Sequence, residues 1–232
     1  MAQKRSKRYR AAAKLVEEGK KYPLSDAVDL AKKFPAPKFD GTVTLSFKLA
    51  VDPRQADQMV RGTCPLPHGS GKEVRVAVFA TGEAATAAKS AGADFVGYED
   101  LIKKVVEGFI DFDIAVATPE AMSEVRKLGK QLGPRGLMPN PKTGTVTDDT
   151  AAAIAAVKAG RIDFKVDKSA NLGIAIGKAG FEASQLVENC QAVIDTVVSG
   201  RPASAKGVYI TSLTLTPSMG PGIPIDTTPY LT

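Results

Sequence analysis

The chain has 232 residues, 44% of them hydrophobic and 24% charged, and a formal net charge of +6. That is ordinary globular composition, at a length suited to one large domain or two small ones. No apolar run approaches the ~18 residues of a membrane span, and the basic N-terminus MAQKRSKRYR is followed by no apolar core of a secretory signal.

Cys64 and Cys190 lie far apart without CxxC spacing, which fits free thiols in a reducing, cytoplasmic compartment. His68 is the sole histidine, so zinc sites and His-based triads lack ligands. Neither a catalytic residue, a metal nor a cofactor is expected.

In chain order, residues 1–21 hold eight Lys or Arg against Glu17 and Glu18, an excess of +6, while the rest balances at 23 basic and 23 acidic groups. Such a segment suits a polyanion, nucleic acid before an anionic membrane surface, with a solubilising tail as the plain alternative. From Thr42 to Val51, Val43, Leu45, Phe47, Leu49 and Val51 alternate with polar or small residues, as in a half-buried strand. The Gly/Pro-rich GTCPLPHGSGK (62–72) reads as a connection.

An α/β stretch follows. VRVAVFA (74–80) is apolar enough for a strand buried on both faces. Next come a helix over 83–91, a strand at 94–96, a helix over 100–107, a strand at 114–117 and a helix opened by Pro119. With a last helix over 148–159, the alternation predicts a parallel, doubly wound sheet. Beyond the short KAGR (158–161), Ile162, Phe164 and Val166 alternate, as do Leu172, Ile174 and Ile176, with DKSAN between them as a hairpin turn. Residues 182–199 place Leu186, Val187, Cys190, Val193, Ile194 and Val197 on one helical face. The strand 207–216 changes phase between Ile210 and Leu213, which predicts a bulge. One early strand cannot stand alone, so strand 42–51 is expected to pair with the C-terminal strands. The α/β stretch is then an insertion whose two connections make a hinge. The expected division is residues 1–67 with 159–232, and 68–158 inserted.

HGSGK (68–72) imitates a phosphate loop, but Glu73 follows the Lys and a strand comes next, the reverse of the required context. No GxGxxG follows strand 74–80, where TGEAAT stands. KLGKQLGPRGLMPNPKTGTV (127–146) has four glycines and three prolines, which argue against a regular element. With Arg126 before it, it brings Lys127, Lys130, Arg135 and Lys142 without an acid, suited to phosphate contacts or to an ordinary solvated loop. A third candidate is the polar face of the half-buried sheet: Thr44, Ser46 and Lys48, then Lys165 and Asp167 with Lys168 and Ser169 in the turn, then Thr214 and Thr216 leading to Ser218, Met219 and Gly220. Hydroxyls and cations can bond ribose 2′-hydroxyls and phosphates across the shallow groove of A-form RNA; a plain solvent face is the alternative. There is no Trp, and the outward strand positions lack stacking aromatics, so any RNA bound is expected to be folded. Phe39, between Lys38 and Asp40, either offers one exposed ring or caps the core edge.

KFDGTV, LPHGSGK, KLGKQLGPRGLMPNPKTGTV, GRIDFKVDKSANLGIAIGKAGF and KGVYITSLTLTPSMGP together resemble the bacterial large-subunit ribosomal protein L-one family, in order and along essentially the whole chain. The resemblance implies an α/β protein, α+β overall: a discontinuous RRM-like split βαβ domain formed by both chain ends, with an inserted Rossmann-like parallel α/β domain. It implies binding to a folded rRNA element of the mobile exit-site stalk, assistance in release of deacylated tRNA, and repression of translation from the protein's own operon mRNA. It places the RNA surface on Lys38, Phe39, Thr42, Thr44, Ser46, Lys48, Lys165, Asp167, Lys168, Ser169, Ser212, Thr214, Thr216, Ser218, Met219 and Gly220. Lys127, Lys130 and Arg135 of the basic loop are expected as a second, lesser RNA contact. Ser218 departs from the Thr usual in that family. The expected partners are stalk rRNA, exit-site tRNA and operon mRNA, with no membrane, and the protein a monomer off the ribosome. The alternatives are a nucleotide-dependent α/β enzyme and a protein-binding scaffold.

Overall fold

The computed structural model describes residues 5–55 and 57–230, the side chain of Lys142 apart. Lys4 of the basic segment lies outside the described residues. The chain divides into two units, Met1–Gly71 with Ile162–Thr232, and Lys72–Arg161. The division falls after Gly71 and Arg161, where the sequence suggested Pro67 and Lys158.

The first unit opens with helices α1 (Lys7–Ala13) and α2 (Leu24–Lys32), strand β1 (Thr42–Leu49) and strand β2 (Arg61–Pro65). The second contains β3 (Val76–Phe79), α3 (Gly82–Ser90), β4 (Phe95–Gly97), α4 (Glu99–Val106), β5 (Ile114–Ala117), the short helices α5 (Met122–Val125) and α6 (Gly129–Leu132), and α7 (Thr150–Lys158). Strand β6 (Arg161–Lys165) leads back to the first unit, followed by β7 (Asn171–Lys178), α8 (Ala183–Ser199), β8 (Ile210–Pro217) and β9 (Ile223–Ile225).

In the first unit the sheet order is β7-β1-β8-β9. Strand β1 is antiparallel to both β7 and β8, which are therefore parallel to each other with β1 between them. Since α8 joins β7 to β8, the arrangement is a split βαβ. The inward residues Leu45, Phe47, Leu172, Ile174, Leu213 and Leu215 are buried with Leu186, Cys190, Val193, Ile194 and Val197 of α8. This is the amphipathic stripe of α8 meeting the apolar face of the sheet. A reciprocal capping box of Glu182 and Gln185 starts α8. The predicted phase change is a register shift: Lys48 lies opposite Ser212 and Leu49 opposite Ile210, leaving Thr211 over.

One polar side chain sits inside this core. Asn189 is fully buried; its amide donates to the Ile176 carbonyl at 2.8 Å and the Gly69 carbonyl at 3.1 Å, and accepts from the His68 N–H at 3.1 Å. His68 also reaches Glu188 at 2.6 Å, so residues 66–71 are held against α8 and β7. Cys64 is buried and accepts from the Thr196 hydroxyl at 3.3 Å; burial raises its pKa, and pushes that of Cys190 up to about 12. Neither is a reactive thiolate at neutral pH.

The second unit carries a parallel sheet of order β4-β3-β5. Val76 and Val78 face one way with Ala88 of α3 and Ile154 of α7; Ala77 and Phe79 face the other with Leu101 and Val105 of α4. Both faces are covered, which is why β3 reads as an unbroken apolar run. The fold is α/β, Rossmann-like in this unit.

Three expectations need correction. Strand β6 does not form a hairpin ladder with β7; it pairs with β2, in a stretch taken for a bare connection. The pairing works because the Phe164 ring lies over Gly62, where an added Cβ would come within 3.0 Å of it. Residues 122–132 are successive helical turns, including a 3-10 turn at Arg126–Leu128, because Val125, Leu128 and Leu132 are all drawn into the core below. Pro119 opens a turn, and the helix starts at Met122.

Candidate nucleic-acid interface

Register places the outward residues of the split domain in rows. Thr44 lies between Ala175 and Thr216, Ser46 between Gly173 and Thr214, and Lys48 between Asn171 and Ser212. Every side chain in these rows is small or polar, none is acidic, and Ser46, Lys48, Asn171 and Ser212 are exposed. The face is therefore shallow, with hydroxyls that can both donate and accept.

At one end lie Lys38, Phe39, Thr42 and the turn 217–220. Ser218 is tied to Thr42 three times: its hydroxyl accepts from the Thr42 N–H at 3.0 Å and donates to the Thr42 carbonyl at 3.1 Å, and its own N–H donates to that carbonyl at 2.9 Å. The Ser218 side chain thus works chiefly as a strap holding the turn to β1. The Gly220 N–H closes the turn on the Pro217 carbonyl at 2.9 Å, and Met219 takes φ of +63°. For a side chain with a Cβ this costs about 1 kcal/mol or more. A Cβ on Gly220 would lie 2.8 Å from the Pro217 ring. The turn holds Met219 68% exposed, and the nearby Phe39 ring is 53% exposed, so Phe39 does not cap the core. We expect Ser218→Ala to lower stability by about 1 kcal/mol, through the Thr42 groups it leaves unpaired. Ser218→Thr should retain it. Urea midpoints at unchanged slope would measure both.

The other end is the turn 167–171. The Asp167 carboxylate accepts from the N–H of Ser169 at 2.8 Å and of Asn171 at 2.7 Å, an Asx-type arrangement that points Lys168 and Ser169 outward. Lys48 Nζ donates to the Ser169 carbonyl at 2.5 Å. The backbone bond from Asn171 first, then that from Ser169, holds the Asp167 carboxyl below its ordinary 3.8. A depressed folded pKa means the contribution is fully present above 3.8 and lost as pH falls through the lowered value. The Ser169 and Asn171 amide shifts should therefore titrate together below 3.8, and Asp167→Ala should abolish that titration. Among the described residues only Ala170, with φ of +61°, and Met219 are non-glycine residues in the left-handed region. They sit at the two opposite ends of the same face.

Lys165 is exposed but belongs to β6, hence to the two-stranded sheet with β2 and not to these rows. Sequence reasoning passed over Asn171, which register sets opposite Lys48, and Lys178, whose amine donates to the Thr42 hydroxyl at 3.4 Å. Its hydroxyl partner could be read only once the register of β1 and β7 was known. In the second unit, Lys127 is paired with Glu124 at 2.6 Å, one turn before the stretch that looked free of acids. Lys130 and Arg135 are exposed. From Arg5 onward the basic segment is ordered structure: Ser6 caps α1 at the Tyr9 N–H, the Arg5 guanidinium lies 4.9 Å over the Tyr9 ring, and Ala12 is buried.

The model of the ribosomal protein L1p/L10e family matches residues 31–221. The chain belongs to that family. It is 58% identical over 226 residues to the large ribosomal subunit protein uL1 of Leifsonia xyli subsp. xyli, covering 97% of this chain and 98% of that protein. It is 57% identical over 223 residues to the uL1 protein of Renibacterium salmoninarum, covering 96% and 95%, and 54% identical over 223 residues to that of Thermobifida fusca, covering 96% and 95%. Members of the L1p/L10e family are structural proteins of the ribosome and not enzymes, which sets aside the nucleotide-dependent enzyme. Among the described residues no helix is long and apolar enough to cross a membrane.

Proposed function

We propose that this protein is a constituent of the large ribosomal subunit that binds a folded rRNA element of the mobile exit-site stalk through the outer face of its split domain. The observation that carries the reading is the acid-free set of rows around Ser46, bracketed by two turns each held in a strained backbone conformation. Strain of this kind persists where surrounding bonds over-determine it and gathers at ligand-binding positions. The names of the relatives, all large-subunit proteins over nearly the full chain, support the assignment to that particle. Lys38, Lys48 and Lys168 would meet phosphates; Thr44, Ser46, Ser212, Thr214 and Thr216 would meet ribose hydroxyls; Met219 and Phe39 would exclude water at one end. Thr42, Asp167, Ser169, Ser218 and Gly220 would set the shape of the two ends, with Lys165 beside them. Lys127, Lys130 and Arg135 would form a weaker contact. By the same surface the protein would bind a mimic of the rRNA site in its own operon mRNA and repress translation. On the ribosome it would assist release of deacylated exit-site tRNA. Off the ribosome it would be a cytoplasmic monomer.

The test is competition at near-physiological salt between the folded stalk element and an unrelated hairpin of equal length. A preference of several hundredfold that survives rising salt is the expected result. Equal, salt-fragile binding to both would reduce the interaction to a basic segment on a globular protein, since contacts to phosphate alone carry no sequence information and weaken steeply with salt.

A further inference from the structure

A cleft opens beside the turn 217–220, within the first unit, at the end of the sheet where Val43 of β1 pairs with Pro217 of β8. It is lined by Met219 and Pro217 of that turn and by Phe34, Pro35 and Pro37, which follow α2. Its inner volume is about 130 Å³, below the ~300–1,000 Å³ of whole small-ligand sites, so it suits one group of a larger ligand and not a complete one. Two cations also line it, Arg8 from α1 and Lys32 from the end of α2, and no acidic residue does. The N-terminal helix is thus one side of a built recess, with its buried Ala12 at the wall.

Flat apolar walls, a half-open mouth and cations without acids describe the requirements of a nucleotide: a planar base that stacks on rings and prolines, and a phosphate that meets a guanidinium or an ammonium. The shared residues Ser218, Met219 and Gly220 make the cleft continuous with the proposed RNA face. We propose that the cleft takes one unpaired nucleobase of the bound RNA, turned out of its helix, with Arg8 and Lys32 on the adjoining phosphates. This rests on the RNA reading of the neighbouring face. It adds a pocket for a single base to a surface that otherwise meets backbone and ribose, and so supplies base contact where the rows offer little. The exposed Met219, held out by its turn, would be the edge over which the base passes.

The experiment uses the full chain and the stalk element carrying 2-aminopurine at each unpaired position in turn. The wild-type protein should change the fluorescence of one position severalfold on binding. Ala36→Leu and Ala179→Leu, which enlarge exposed residues on the cleft wall, should abolish that change and weaken specific affinity at least fivefold. Arg8→Ala with Lys32→Ala should weaken it similarly. Specific binding in which no unpaired position responds, or in which the response survives the cleft-filling variants, overturns the proposal and leaves the face intact. Absence of any stalk preference in the wild-type protein overturns the face assignment and the cleft with it.

Discussion

Ser46→Glu should lower affinity for the folded stalk element at least tenfold and toward a hundredfold, about 1.4–2.7 kcal/mol, while leaving stability within about 0.5 kcal/mol. Ser46 occupies the middle row of the outer face, flanked by Gly173 and Thr214, and is exposed. A glutamate there has room, so the fold tolerates it, but it sets a negative charge where RNA backbone would approach. Like-charge juxtaposition is an effective way to reject a partner. The control is Val106→Glu on α4, a position 57% exposed in the second unit, which should leave affinity unchanged. Binding of Ser46→Glu at wild-type affinity would remove the outer face from consideration, whatever the basic segments do.

Asn189→Leu should destabilise the first unit by about 2–4 kcal/mol, since each buried partner left without a hydrogen bond costs ~1–3 kcal/mol. The Ile176 carbonyl, the Gly69 carbonyl and the His68 N–H all lose their shared partner. A leucine of similar size fills the volume but restores none of the three. Because the unit is one of two, a single global transition is a poor measure. Hydrogen exchange of β7 and the rate of tryptic cleavage at Lys72 report the affected region directly, and both should rise. Unchanged protection of β7 would mean that the segment 66–71 is held by other contacts.

Much of the fold was legible because its periodicities are strong. The alternation in 42–51 and 172–176, the helical stripe of 182–199 and the apolar run at 74–80 each report burial on one face, on one stripe or on both faces. Those patterns survive whatever surrounds them. Strand β2 was hidden because Gly62 and Pro65 are poor strand residues on their own. The Phe164 ring above Gly62 and the burial of Cys64 come from contacts distant in sequence. The helical turns from residue 127 to 132 were hidden in a similar way, as glycine and proline content there outweighed the buried Leu128 and Leu132, which continue the helical spacing from Val125.

Chemistry and face could be read along the chain: hydroxyls and cations alternate outward in β1 and β8, and their inward neighbours are apolar, so burial assigns each side. Register could not, because it is a relation between strands far apart in sequence. It is register that sets Ser46 beside Gly173 and Thr214 and brings Asn171 opposite Lys48. Hydrogen bonding across 176 residues makes Ser218 a strap on Thr42, a role that its place on the RNA surface implied by the resemblance did not reveal. The cleft beside Met219 likewise draws its walls from α1, the segment after α2 and the turn after β8. A linear pattern records how much of a residue is buried, and folding in three dimensions chooses its neighbours.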